Sequence, residues 1–298
     1  MAGVQLTHPG LVFWRAPRIT KAELARYYER IAERALPHIA CRPLTLVRCP
    51  YGAEAECFVQ RHSSRAVPRA VHRAGGGSGK RGRHLYVDTV GGLVALVQAA
   101  VLEIHVWGAR IDRLDRPDRL VFDLDPGPGV GWGEVVASAC AVRQALESFD
   151  LQSFPKTTGG RGVHVVVPLT RRNEWDEARG FARAIAERLA RERPERFTAR
   201  ASKAERPGRI YVDYLRNARG ASAVAPYSTR ARPGAPVSTP VTWDELCTSL
   251  RPAVLDTGRV IERLAAGETD PWRDMARVRQ SITAGILRDL GVKGVRET

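Results

Sequence analysis

Arg119-Leu120-Val121-Phe122-Asp123-Leu124-Asp125-Pro126-Gly127-Pro128-Gly129 is the stretch on which the reading of this chain turns. An apolar run ends in two carboxylates spaced i, i+2. On a strand such residues point to one face. Pro126 and Gly127 stop the strand, so the carboxylates stand at its C-terminal end, where α/β folds build sites. Like charges held side by side repel, and a divalent cation between them removes the repulsion. The competing reading is a plain Asp-Pro-Gly turn.

Downstream, Trp132 to Phe149 reads as an amphipathic helix. A strand from Phe154 leads into Lys156-Thr157-Thr158-Gly159-Gly160-Arg161-Gly162-Val163-His164, and a β-run Val165 to Val167 ends at Pro168. Glycines let a backbone approach closely, hydroxyls and amides donate, and Arg161 and His164 add positive charge. That set suits a triphosphate, or equally a Gly-rich hairpin turn. Trp175 to Arg191 is a helix. Asp213 then closes another apolar strand, flanked by Arg206 and Arg216, either as a third site carboxylate or as a salt-bridged strand residue. Ala223 to Tyr227 reads as a strand, Trp243 to Leu246 starts a short helix, and Pro271 to Leu290 reads as helical.

Upstream, Thr20-Lys21-Ala22-Glu23 is a capping box, and Leu24, Tyr27, Tyr28, Ile31 and Leu36 follow at helical spacing as far as Pro37. Leu44 to Val47 and Cys57 to Gln60 read as short strands carrying Arg48, Phe58, Arg61, His62 and Arg65. This is a grip for a nucleic-acid strand or a solvated basic face with one core Phe. Ala74 to Arg83 is a Gly-rich basic loop that lacks the order of a phosphate loop, because Arg81 follows Lys80. His84 to Asp88 is a strand, Leu93 to Leu102 an apolar helix, and Glu103 to Gly108 a strand carrying His105.

The 47 Lys and Arg outnumber the 32 Asp and Glu, for a net charge of +15, which favours a polyanionic partner, nucleic acid before membrane. No apolar run reaches the length of a membrane span, and Met1 to Gly10 does not read as a signal peptide. The expected location is cytoplasmic. The five cysteines (Cys41, Cys49, Cys57, Cys140, Cys247) form no C-x-x-C pair and read as reduced thiols. No repeat or strong linker interrupts the chain, so residues 1–298 are expected to form one domain. The fold class is α+β, a mixed or antiparallel sheet core flanked by helices.

Three carboxylates, a Gly/Thr/His loop and several arginines make a nucleotidyl-transfer site, in which two divalent ions and an arginine clamp do most of the work. The ordered set LEIHVWGARIDR, LVFDLDPGPG, TTGGRGVHV, RIYVDYLRN and VAPYSTR resembles the polymerase domain of bacterial DNA ligase D, of the archaeo-eukaryotic primase superfamily. The opening is similar too: LTHPG, ITKAELARYYERIA, RPLTLVRCP and ECFVQRH. The match runs from about residue 5 to 295.

The resemblance implies a primase-like catalytic domain. It would be a template-dependent polymerase that extends or fills DNA ends with NTPs or dNTPs during non-homologous end joining. It implies Mn2+ or Mg2+, two ions, on Asp123, Asp125 and Asp213. It places Thr158, Gly159, Arg161, His164, Arg206, Arg216 and Arg230 on the incoming nucleotide and His105 near the reaction centre. Lys21, Arg48, Phe58 and Arg61 would meet DNA, Lys21 at the 5′-phosphate of a gapped end. Implied partners are double-strand-break ends, primer-template DNA, and Ku and a DNA ligase, at the nucleoid. Two positions depart from the family pattern: Leu11 replaces a frequent Lys, and Val59 follows Phe58 where a second aromatic is common. No ligase or nuclease module is recognised in the chain. The competing readings are a metal-dependent phosphohydrolase or nuclease and a catalytically silent DNA-end-binding module.

Overall fold

Thr20 and Glu23 form the capping box that the sequence predicts: Glu23 N donates to the Thr20 hydroxyl at 3.3 Å, and Thr20 N to the Glu23 carboxylate at 2.7 Å. The computed structural model to which this helix belongs describes residues 1–62, 68–75, 83–248 and 255–292. Arg65 and residues 76–82 of the Gly-rich loop lie outside the described residues. Chain contacts gather into two compact units: Met1–Asp112 with Val224–Thr239 and Ala253–Asp270, and Arg113–Ala223 with Pro240–Pro252 and Pro271–Thr298.

The first unit opens with a hairpin, β1 (Val12–Arg15) and β2 (Arg18–Thr20), and then α1 (Lys21–Ile39). α1 buries Leu24, Tyr27, Tyr28 and Ile31, the face its spacing implies, and carries Pro37 inside its last turn rather than stopping there. β3 (Leu44–Arg48), β4 (Phe58–Gln60), β5 (His72–Ala74), β6 (His84–Tyr86), α2 (Val90–Gln98) and β7 (Val101–Val106) follow. The helix expected over Leu93 to Leu102 ends at Gln98. Ala100, at φ +57°, turns the chain, and Val101 and Leu102 join β7.

The reading of five reduced thiols is corrected. Cys49 and Cys57 are disulfide-bonded, while Cys41, Cys140 and Cys247 are free. Arg48 pairs with Phe58 across β3 and β4, which sets the two flanking cysteines side by side.

The second unit contains β8 (Arg119–Pro126), α3 (Trp132–Glu147), β9 (Phe154–Thr157), β10 (Val163–Pro168), α4 (Trp175–Glu192), β11 (Phe197–Thr198) and β12 (Ile210–Asp213). Its sheet runs β11-β12-β8-β10-β9, antiparallel except for the β11–β12 pair. β8 is therefore the middle strand, with Leu120 to Leu124 all buried, and α3 packs on β8 and β10.

β13 (Ala223–Val224) returns to the first unit and joins its sheet in the order β13-β7-β3-β4. The strand expected as far as Tyr227 ends at Val224, and Tyr227, at φ +64°, lies in a turn beyond it. α5 (Trp243–Thr248) follows in the second unit and α6 (Thr257–Ala265) in the first. The continuous helix expected over Pro271 to Leu290 reduces to a 3-10 turn, Met275–Arg277, and α7 (Ala284–Asp289). Tertiary bonds hold the stretch between them extended: the Gln280 amide donates to Pro168 O at 2.8 Å, and Ile282 N donates to Asn173 Oδ1 at 3.1 Å. No helix among the described residues is long and apolar enough to cross a membrane.

Candidate metal and nucleotide site

Strand register builds the site. Lys156 on β9 pairs with His164 on β10, His164 pairs with Asp123 on β8, and Asp123 pairs with Asp213 on β12. One rung of the sheet thus reads Lys, His, Asp, Asp across four strands. Asp125, two residues along β8, adds its carboxylate on the same face, opposite Tyr211. One oxygen from each of Asp123, Asp125 and Asp213 lies within 4.8 Å of the others.

Cations surround the acids without neutralising all of them. Arg216 Nε stands 3.2 Å from Asp123 Oδ2 and 3.1 Å from Asp213 Oδ2. Arg206 Nη1 is 3.8 Å from Asp125 Oδ2, and its guanidinium lies 4.2 Å from the Tyr211 ring centre. His164 Nε2 is 3.2 Å from Asp123 Oδ1, off the line that a hydrogen bond needs, and its Nδ1 has no hydrogen-bond partner among the described residues. Tyr211 Oη and Leu215 N both donate to Asp213 Oδ1, at 3.2 and 2.9 Å.

These surroundings push the acids apart. Burial works to raise the Asp123 carboxyl, but His164, Arg216 and Lys156 together hold it well below the usual range. Burial and the Asp123 charge lift Asp125 to about 6, and burial raises Asp213. Burial and Lys156 lower His164 to about 4, so its imidazole is neutral near pH 7. Three converging carboxylates, one with a buried oxygen that accepts no aligned hydrogen bond, fit a divalent cation, which relieves the mutual repulsion of the acids.

The Thr/Gly loop connects β9 and β10, so the hairpin reading of 158–162 is its geometry. The Thr158 hydroxyl donates to Gly162 O at 3.1 Å, and Gly159 turns at φ +65°. At Gly162 an added Cβ would lie 2.4 Å from Leu124 O, and at Gly127 it would lie 1.8 Å from Arg206 O. Both glycines are required because backbone from another segment passes beside the acids. Arg161 reaches back to the carbonyls of Gly127 and Val130, at 3.4 and 3.5 Å.

The remaining candidates lie in the first unit. Glu103 receives His105 Nε2 at 2.8 Å and Ala231 N at 2.9 Å, with Arg230 Nε 3.0 Å away. Burial works to raise Glu103, but His105 and Arg230 outweigh it and bring the carboxyl down to about 2. Ile104 N donates to Ser228 Oγ and Thr229 Oγ1 to Leu102 O, which fastens the segment of Arg230 to β7. Arg48 donates to Ala99 O at 2.8 Å and lies 5.3 Å from the centre of the Phe58 ring, which is 47% exposed. Arg61 is exposed, whereas Lys21 is only 4% exposed and burial lowers its amine.

Lys156 and Glu103 were missed in the sequence. Lys156 sits two residues before Thr158, and only register shows that it joins the rung. Glu103 has the i, i+2 spacing to His105 that marks a shared strand face, a signal present in the sequence.

A family model described as LigD, primase-polymerase domain, matches residues 20–272. The chain belongs to this family. The multifunctional non-homologous end joining protein LigD of Pseudomonas aeruginosa is 41% identical over 293 residues, 97% of this chain and 35% of that protein. The bifunctional LigD of Bacillus subtilis is 31% identical over 265 residues, 86% of this chain and 43% of that protein. The chain therefore spans well under half the length of these LigD relatives. A solved structure of the polymerase domain of Mycobacterium tuberculosis ligase D in complex with DNA superposes with a TM-score of 0.84, at 33% identity, covering 92% of this chain and 98% of that one. The mixed sheets with flanking helices are thus the fold of the LigD primase-polymerase domain.

Proposed function

We propose that the chain is a metal-dependent nucleotidyltransferase that adds NTPs or dNTPs to DNA ends and gaps in non-homologous end joining, with both units acting as one primase-polymerase domain. The observation that carries this reading is the rung Lys156–His164–Asp123–Asp213 with Asp125 beside it. Family membership and the DNA-bound relative support it.

Asp123, Asp125 and Asp213 are the residues that would hold divalent ions, Mn2+ or Mg2+, two in number. Such ions supply Lewis acidity, lowering the pKa of a 3′-hydroxyl and offsetting the charge of the leaving pyrophosphate. Arg216 holds Asp123 and Asp213 in register and, being about 41% exposed, keeps donors available for a triphosphate. Arg206 and Arg161 are assigned to that nucleotide, and Arg230, in the first unit, is proposed as a nucleotide-binding residue. Neutral His164 offers a hydrogen bond at Nδ1, and Thr158 and Gly159 are assigned to the same nucleotide through the turn they form. His105, oriented by Glu103, is proposed as a further catalytic residue.

On the DNA side, Phe58 offers a half-exposed ring for stacking, backed by Arg48, and Arg61 offers charge to the backbone. Lys21 is assigned the 5′-phosphate of a gap, its desolvated amine gaining strength against an anion. Ku and a DNA ligase are the expected partners, at the nucleoid.

Primer extension on a gapped duplex bearing a 5′-phosphate tests the reading, with NTPs and dNTPs supplied separately, Mn2+ or Mg2+, and Asp123→Ala alongside. Metal-dependent addition that the variant lacks supports it. DNA binding without addition would indicate a silent end-binding module, and primer shortening a nuclease.

A further inference from the structure

The second unit carries a cavity of about 690 Å³ bounded by α4, β11 and the segment 199–209, with Tyr214 in its wall. Its charge is uneven. Four arginines and two glutamates line it. The glutamates are used internally: Glu187 takes Arg183 at 2.7 Å, and Glu205 takes Arg200 at 3.2 Å. Arg191 and Arg209 have no ion-pair partner among the described residues, although Arg209 is half-buried. A partly shielded guanidinium with no ion pair of its own gains from an anion that comes to it. The half-buried Tyr214 likewise has no hydrogen-bond partner for its hydroxyl among the described residues.

The segment that walls the cavity also serves the acids. Arg206 reaches toward Asp125, while Arg200 and Arg209, on the same stretch, line the cavity. Gly127 N donates to Arg209 O at 2.9 Å, and Tyr214 follows Asp213 directly. The cavity is thus joined to the acid site by backbone on two sides, yet none of its lining residues belongs to the rung.

We propose that this cavity binds single-stranded nucleic acid, a segment of one or two nucleotides, with Arg191 and Arg209 on phosphates and Tyr214 against a base or sugar. Unpaired guanidiniums beside an aromatic ring are the usual means of holding single strands, and the volume lies within the range of pockets that take nucleotide-sized ligands. A duplex is too wide to enter. The proposal rests on the nucleic-acid reading above and adds a strand-holding site to it.

Fluorescence anisotropy on a labelled single-stranded 12-mer and a blunt hairpin duplex tests it, with Arg191→Gln, Arg191→Gln/Arg209→Gln and Tyr214→Leu beside the parent chain. The double variant should bind the single strand about 10-fold more weakly, with a salt slope shallower by about 1.4, the duplex changing less than about twofold. Arg191→Gln, at an exposed position near the end of α4 where the fold should be untouched, should lose about threefold. Tyr214→Leu should weaken single-strand binding about fivefold with the slope unchanged. Unchanged single-strand binding in the double variant, or an equal loss on the duplex, overturns the site. Displacement of the single strand by free ATP with the same arginine dependence overturns the strand assignment in favour of a mononucleotide. Primer extension separates the two readings: failure of the polymerase reading leaves the parent unable to extend while the anisotropy contrast persists, and failure of this one leaves extension intact without the contrast.

Discussion

Asp213 lies directly opposite Asp123 across β12 and β8, and a single Arg216 nitrogen stands about equally far from both, at 3.1 and 3.2 Å. Two buried carboxylates in direct cross-strand register are unfavourable by themselves. Their cost is offset locally by one arginine and, in the proposed holoenzyme, by divalent cations.

Removing a charge from this cluster should separate metal binding from folding. Asp125→Asn is expected to melt at the same or a higher temperature than the parent in EDTA, because the charge it removes is raised by burial and repelled by Asp123. Mn2+ should raise the melting temperature of the parent but not of Asp125→Asn or Asp123→Ala. At 100 times its Kd a bound ion contributes about 2.7 kcal/mol. Thermal shift with a Mn2+ titration reads both effects, and equal Mn2+ responses in all three proteins would remove the assignment of the acids.

The close pass of backbone at Gly127 predicts a large effect from one methyl group. Gly127→Ala puts its Cβ on Arg206 O and should displace the 203–209 segment, costing on the order of 1–3 kcal/mol in urea unfolding. Gly133→Ala is the control, since its Cβ meets no atom within 4 Å and it lies in α3, where Ala is favoured over Gly.

Glu103 links His105 to Arg230, and its carboxyl titrates below its ordinary value of 4.5, at about 2. A depressed acid contributes stability above its unfolded pKa and loses it as pH falls through its folded one. Glu103→Gln should therefore be destabilised by about 2–4 kcal/mol at pH 7. That difference should shrink between pH 4.5 and 2. Urea midpoints across this range check it, and a pH-independent difference would mean that the loss is one of packing.

Net charge predicts the form of DNA binding. With a formal excess of +15, affinity for duplex ends should fall by about 10³-fold or more between 50 and 200 mM salt if six or more phosphates are contacted. Anisotropy titrations at several salt concentrations give the slope, and a flat dependence would contradict a basic DNA-binding surface.

Much of the site was legible because its signals are local. Asp-x-Asp ahead of Pro-Gly, the Thr/Gly loop and the isolated Asp213 each follow from strand alternation and turn chemistry. The capping box at Thr20 was equally plain. What lay beyond reach depends on register and tertiary contact. Lys156 joins the rung only because β9 pairs with β10 in one alignment. The Cys49–Cys57 bond follows from the Arg48–Phe58 pairing, which spacing alone does not specify. The tail was read as helical because its helix-compatible composition gives no hint that Gln280 and Ile282 are held by distant partners. The arginine-lined cavity is not legible for a related reason: its charges come from neighbouring stretches, α4 and the 199–209 segment, and only the path of the chain between them brings these around one space.

The middle position of β8 has a consequence for how the site ages and fails. Each amide of a central strand is bonded to one neighbour or the other, so exchange along the whole of such a strand requires both neighbours to open, which approaches unfolding of the sheet. Asp123 and Asp125 should thus keep their spacing through the everyday breathing of the protein, with deuterium entering β8 last. Segment 199–209, which carries Arg206, has only a 3-10 turn and a few loop bonds to hold it, and should exchange early. The acids form the lasting part of the centre, and Arg206 is the part that comes and goes.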